Sequence, residues 1–118
     1  MLLNTGKLEI KKSKFIFYYF EVENTQDVKM HLKTLREEHK KAKHIVYAYK
    51  FLNTAGKSDD KEPSGTAGLP LYNILERNNL TNRLIVVVRY FGGTKLGAGP
   101  LTRAYKEAGI QAIKNEKA

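Results

Sequence analysis

Two glycine-rich stretches set the narrowest bounds on this fold. Residues 62–68 (Glu-Pro-Ser-Gly-Thr-Ala-Gly) and 89–99 (Arg-Tyr-Phe-Gly-Gly-Thr-Lys-Leu-Gly-Ala-Gly) hold six of the nine glycines. Glycine belongs where backbone turns through positive φ or where another group must come close. Each stretch stands before a segment patterned as a helix, and the second follows the strongest strand signal, Leu84 to Val88. A glycine-rich turn into a helix directs unpaired backbone N–H groups outward, which suits an anion. With 21 Lys and Arg against 12 Asp and Glu, a net charge of +9, phosphate is the first ligand such turns suggest.

That charge is spread out. Residues 1–50 carry 11 basic and 6 acidic groups, residues 51–100 carry 6 and 4, and residues 101–118 carry 4 and 2. Solubility alone accounts for such a balance as well as a nucleic-acid partner does. There are no cysteines, which excludes disulfides and thiolate zinc sites and fits a reducing cytosol. No apolar run approaches the roughly 20 residues of a membrane span. The segment Met1-Leu2-Leu3-Asn4-Thr5-Gly6 is too short for a secretory signal. A cytoplasmic protein with no membrane partner is expected, and the 118 residues suit one domain over 1–118.

Lys7 to Lys12 reads as a short edge strand, and Lys14 to Val22, aromatic and apolar on both faces, as a clearer one. Asn24 or Thr25 caps a helix to about Lys41, with Val28, Leu32 and Leu35 on one stripe and Lys40, Lys41 and Lys43 at its negative pole. His44 to Phe51 is a strand with Ile45, Tyr47, Tyr49 and Phe51 on one face, and residues 52–65 are a polar loop. A helix follows to about Asn79, with Pro70 in its first turn. Leu84 to Tyr90 is a central strand, and the last helix runs from about Pro100 to Asn115 with Leu101, Ala104, Tyr105, Ala108 and Ala112 as its packing stripe. Gly109 inside that helix costs about 1 kcal/mol relative to Ala, which predicts close packing there.

The turn from Gly92 to Gly99 is neither a Walker A loop, because Lys95 precedes the last two glycines, nor a Gly-x-Gly-x-x-Gly fingerprint. It still holds the parts of a phosphate contact: Gly92, Gly93, Gly97 and Gly99 near a helix start, Lys95 in the loop, and Arg103 one turn into the helix. Arg89 and Lys106 complete the candidate anion surface. The same glycines equally serve a tight strand-to-helix connection. In the first stretch Ser64 or Thr66 can cap the helix, and Glu62 lies before its positive pole. Ser64 as a nucleophile needs a base, and no histidine is near it in sequence.

His31 and His39 stand eight apart on one helix and His44 opens a strand, so no metal spacing emerges. Asp59, Asp60 and Glu62 could hold Mg²⁺ through water, against the plainer reading of a solvated loop. Lys11, Lys12 and Lys14 protect a strand edge or, with Tyr18 or Tyr19, serve single-stranded nucleic acid; aromatics inside such a strand are more often core.

The two glycine stretches resemble the signature of the IMPACT/YigZ family. The resemblance begins at Glu9-Ile10-Lys11-Lys12-Ser13-Lys14-Phe15 and continues through Glu62, Pro63, Ser64, Gly65, Thr66, Ala67, Gly68, Leu69 and Pro70. It peaks at Val87-Val88-Arg89-Tyr90-Phe91-Gly92-Gly93-Thr94-Lys95-Leu96-Gly97-Ala98-Gly99 with Leu101-Thr102-Arg103-Ala104-Tyr105. Asp60-Lys61-Glu62-Pro63 stands where the family usually has Asp-Gly-Glu-Pro, and Pro100 replaces a usual glycine, removing one N–H from the turn.

The resemblance implies an α+β two-layer sandwich, a mixed four-stranded sheet with helices on one face. That fold is found in a small-subunit ribosomal protein and in the fourth domain of elongation factor G. It also implies a cytoplasmic, translation-linked binding module with RNA or the ribosome as partner. Eukaryotic relatives restrain a kinase that phosphorylates a translation initiation factor, which makes a protein partner in translation control the alternative. An enzyme acting on a small anionic substrate is the third reading. The family has no established reaction, so the resemblance gives no residue a catalytic role; no cofactor or metal is expected. Its eukaryotic members carry a further N-terminal domain and many bacterial members a ferredoxin-like C-terminal one; the expectation is a minimal member or a fragment.

Overall fold

The computed structural model describes residues 1–116. In chain order it runs β1 (Leu2–Ile10), β2 (Ser13–Glu21), α1 (Thr25–Glu38), β3 (His44–Lys50), β4 (Ala55–Ser58), α2 (Gly68–Arg77), β5 (Arg83–Tyr90) and α3 (Ala98–Ala112). The five strands form one sheet in the order β1-β2-β5-β3-β4, each neighbouring pair antiparallel.

The α+β class expected from the sequence is the class observed, but its layout differs. The sheet has five antiparallel strands rather than four mixed ones. The added strand, β4, lies in the stretch read as a polar loop. It escapes pattern reading because it brings no large apolar side chain: opposite Tyr49 it offers Gly56, where a Cβ would lie 2.4 Å from the Tyr49 ring. β1 starts at Leu2, not Lys7, and pairs along the whole of β2. α1 ends at Glu38, so Lys40, Lys41 and Lys43 lie beyond it.

Helices also cover both faces of the sheet, giving three layers rather than two. The reason is in β5, whose Leu84 to Val88 are all buried. Successive strand side chains point to opposite faces, so a run apolar throughout needs cover on both. Leu84, Val86 and Val88, with Phe20, Val22 and Ile45, meet Val28, Leu32 and Leu35 of α1. Ile85 and Val87, with Phe15, Phe17, Tyr19, Val46 and Ala48, meet Leu71, Ile74 and Leu75 of α2 and Leu101, Ala104, Tyr105 and Ala108 of α3. Each Val, Leu, Ile or Phe among them stabilises the fold by about 1.5–3 kcal/mol.

Local signals hold the elements in place. The Asn24 side chain accepts from the Asp27 N–H at 3.0 Å, and the Asp27 carboxylate accepts from the Glu23 N–H at 2.8 Å, which together start α1. At Gly109 a Cβ would sit 2.5 Å from Ile74 Cδ1 and 2.9 Å from Leu71 Cδ2, so the glycine lets α3 lie against α2 as expected. The β1–β2 hairpin turns through Lys11 and Lys12, at φ 47° and 69°, the geometry a two-residue hairpin loop requires.

Candidate functional site

Three strand ends meet where the site forms. Arg89, near the end of β5, pairs in register with Phe15 near the start of β2 and with His44 at the start of β3. Paired residues share a face, so all three point toward α2 and α3. Ser13 opens β2 beside them, Tyr105 comes from α3, and Glu62 comes from the loop between β4 and α2.

These residues form a buried charged cluster. Arg89 is 5% exposed and Glu62 7%. Arg89 Nη1 donates to both carboxylate oxygens of Glu62, at 3.0 and 2.8 Å, and Nη2 donates to Ser13 Oγ at 3.3 Å. The Tyr105 hydroxyl donates to Glu62 Oε2, and His44 Nε2 stands 3.3 Å from Oε1. His44 Nδ1 lies 2.6 Å from the Asp60 carbonyl, so it carries the proton there. A carboxylate removed from water needs partners on every side, and Glu62 has them. Burial, and then the hydrogen bond to the Glu62 carboxylate, pushes the Tyr105 hydroxyl far above its ordinary pKa, so it remains a donor. Phe15 packs on this cluster, edge to face with Tyr105 at 5.3 Å and beneath the Arg89 guanidinium at 5.5 Å.

Over the cluster lies an open cleft of about 260 Å³, with Pro63, Phe91, Leu96 and Leu101 as apolar wall and Lys43 and Lys95 as cations. Lys43 Nζ sits 4.8 Å over the Phe91 ring. The cleft therefore offers an apolar wall, two lysines at its lip and a floor whose charges are already matched. Ser13 Oγ accepts from Arg89, and Ser64 is exposed and outside the cleft lining.

The two glycine stretches converge here, but they differ inside. In the first, the N–H groups at the start of α2 are taken: Asp59 Oδ1 accepts from Ala67 at 3.2 Å and Gly68 at 2.8 Å, and Oδ2 accepts from Gly65 at 3.0 Å. Burial raises the Asp59 carboxyl, the three backbone donors lower it further, and it ends below its ordinary pKa. Neither Ser64 nor Thr66 caps α2; Thr66 Oγ1 donates to the Pro63 carbonyl instead. Gly65 turns at φ 78°, and a Cβ on Gly68 would strike the Ser58 backbone at 2.9 Å. In the second stretch no side chain among the described residues caps α3, whose N-cap is Gly97. Gly92 is required because a Cβ would lie 2.1 Å from the Lys12 carbonyl, and Gly93 turns at φ 89°.

Of the anion-surface residues, Lys95 reaches the cleft, Gly93, Gly97, Gly99 and Arg103 are exposed around the start of α3, and Lys106 is exposed more than two turns into it. Arg89 lies inward and is committed to Glu62 and Ser13. Tyr90, one residue on, points to the opposite face, where its hydroxyl meets His39 Nδ1 at 2.6 Å and Tyr18 meets Nε2 at 2.8 Å. The Mg²⁺ alternative fails on its ligands: Asp59 caps α2, Asp60 Oδ2 accepts from the Ile45 N–H, and Glu62 is held by Arg89. Tyr19 is core, which removes it from the nucleic-acid reading of the β1–β2 hairpin.

Sequence reasoning missed Ser13, Lys43, His44, Phe91 and Tyr105 as lining or floor, and Asp59 as cap. A usable signal existed for one of them. His44 opens a strand with an inward-facing period, beside an arginine that ends the central strand. The others come together only through strand order.

The comparisons agree with this architecture. The Impact N-terminal domain family matches residues 11–113. An IMPACT family member of Haemophilus influenzae is 41% identical over 115 residues, covering 90% of this chain and 54% of that protein. The IMPACT family member YvyE of Bacillus subtilis is 39% identical over 102 residues, covering 84% and 47%. The chain thus spans about half the length of the curated relatives it matches. A solved structure described as a hypothetical protein superposes with TM-score 0.90 at 36% identity, over 93% of this chain and 56% of that one. The two-domain translational regulator Yih1 shares the fold, with TM-score 0.56 at 20% identity, over 94% of this chain and 46% of that one.

Proposed function

The chain belongs to the IMPACT family, and from that premise we propose that it is a non-catalytic binding module of translation control that grips RNA or the ribosome at the cleft below the second glycine turn. The observation that carries this reading is the convergence of both family motifs on one cleft with Lys43 and Lys95 at its lip. Lys95, Lys43, Arg103 and Lys106 contact phosphate, and the uncapped start of α3 adds backbone donors and the positive end of a helix dipole. Phe91, 42% exposed, offers an aromatic face beside them. Arg89 and Glu62 touch no ligand; they hold the wall and floor in place. The neighbour described as a translational regulator supports the regulatory half of the reading.

Salt titration tests it. Four neutralised phosphates give an affinity for single-stranded RNA that falls about fiftyfold between 50 and 200 mM salt. Affinity that ignores salt, or Lys95→Glu binding RNA as well as the parent chain, overturns the reading. Capture of a protein partner that survives nuclease treatment would instead favour regulation through protein contact.

A further inference from the structure

α1 alone lies on its face of the sheet, and its apolar stripe packs with Phe20 of β2, Leu84, Val86 and Val88 of β5, and Ile45 at the start of β3. Beyond Ile45, the β3 and β4 part of that face is only half-buried. There the half-buried rings of Tyr47, Tyr49 and Phe51 form a ladder along β3, Tyr47 to Tyr49 at 6.3 Å and 14° between planes and Tyr49 to Phe51 at 5.7 Å. The Tyr49 ring lies over Gly56 of β4, whose missing side chain leaves the strip low and open.

The two flanks of α1 differ in charge. Asp27, His31, Thr34 and Glu38 follow helical spacing along one flank. His31, Thr34 and Glu38 border a groove with Leu2, Tyr18 and Phe20, and His31 stacks on Phe20 at 4.0 Å, so this flank faces β1 and β2. Lys29, Lys33 and Arg36, also at helical spacing and all exposed, occupy the flank about 100–200° around the axis. Strand order places β3 and β4 on that side. That side of the strip therefore carries three cations, with Glu37, one turn after Lys33, as the acidic residue beside them.

We infer that this strip is a docking surface for single-stranded nucleic acid, with bases on Tyr47, Tyr49 and Phe51 and phosphates along Lys29, Lys33 and Arg36. Aromatic rings on an open sheet face stack bases, and a cationic wall tracks the backbone. The ring spacing selects the strand state. Bases within a duplex repeat at about 3.4 Å along each strand, too closely to seat one per ring, whereas an unstacked strand can open to the observed 5.7–6.3 Å. The inference rests on the RNA reading above but uses a different face of the sheet from the cleft.

The test measures binding of an eight-nucleotide oligouridylate, an RNA duplex of equal length and inorganic polyphosphate. The variants are Tyr49→Leu, Phe51→Leu, Tyr49→Phe, Lys33→Glu and Lys95→Glu, each checked for folding by circular dichroism. Tyr49→Leu and Phe51→Leu are expected to weaken oligouridylate binding roughly tenfold or more while sparing polyphosphate, because base stacking contributes about 1–3 kcal/mol per base. Tyr49→Phe retains binding, and Lys33→Glu weakens both polyanions. If Tyr49→Leu and Phe51→Leu bind oligouridylate as the parent does while Lys95→Glu fails, the strip is overturned and the cleft stands; the reverse pattern overturns the cleft alone. Equal affinity for the duplex also overturns the strip, and no binding to any of the three overturns both surfaces.

Discussion

The two glycine turns look alike in sequence and are opposites in structure. Both lead into helices, both hold a residue at positive φ, and both border the same cleft. The first carries its own anion: Asp59 lies across the start of α2 and takes three backbone donors. The second has no such side chain at the start of α3 and is edged by Lys95 and Arg103. A helix start is thus an anion site only where the chain has not already filled it. Glycine content cannot distinguish the two cases. The position of a nearby carboxylate can.

Breaking the pair that ties the turns together should have the largest effect. Arg89→Ala or Glu62→Ala each leaves a buried charge without its partner, and a loss of about 3–5 kcal/mol in urea unfolding is expected. Arg89→Met with Glu62→Leu should recover most of it; a double variant as weak as the singles would refute pairing as the link. Next comes Gly92→Ala, expected to cost about 1–3 kcal/mol because its Cβ would meet the Lys12 backbone, which cannot rotate away. Gly97→Ala, with open space around it, should cost only the N-cap preference of glycine over alanine, about 0.5–1 kcal/mol. Equal costs for the two would mean that the second turn is held by something other than that contact.

Asp59→Asn addresses the first turn, with a loss of about 1 kcal/mol expected. The folded Asp59 carboxyl binds its proton at lower pH than the unfolded one. Its contribution is therefore complete above about pH 4, the unfolded value, and drains away as pH falls through the folded value. The variant should lose this part of the acid dependence in urea titrations run at successive pH values. Asp59→Ala should also gain more stability from sulfate than the parent chain does; a variant no more sensitive to sulfate than the parent would count against the comparison. Lys95→Glu closes the series, with stability unchanged within about 0.5 kcal/mol while RNA affinity drops.

Much of the fold was legible. The unbroken apolar run of β5 marks a strand buried on both faces, and that property places helices on both sides of the sheet. The resemblance suggested helices on one side, and β5 itself contradicted it. Asn24 marked the start of α1, and Gly109 announced the close contact of α2 with α3. β4 was hidden because a short edge strand can hold its place through backbone pairing and a glycine under a ring. The cleft was half legible. Its motifs stood out, but the partners of Arg89 lie 27 residues away at Glu62 and 76 away at Ser13, and those of Glu62 reach 43 residues to Tyr105. Such groups are chosen by strand order, which local patterns do not encode. Arg89 in particular read as a surface cation because arginine usually is one; the strand period that turns it inward was available at Val87.

The interior ion pair also limits how this protein can change over generations. Neither Glu62 nor Arg89 can be replaced first without passing through a chain that folds poorly, so drift at one position waits on drift at the other. Variation should instead accumulate on the lip of the cleft, where an exchanged lysine leaves the scaffold intact.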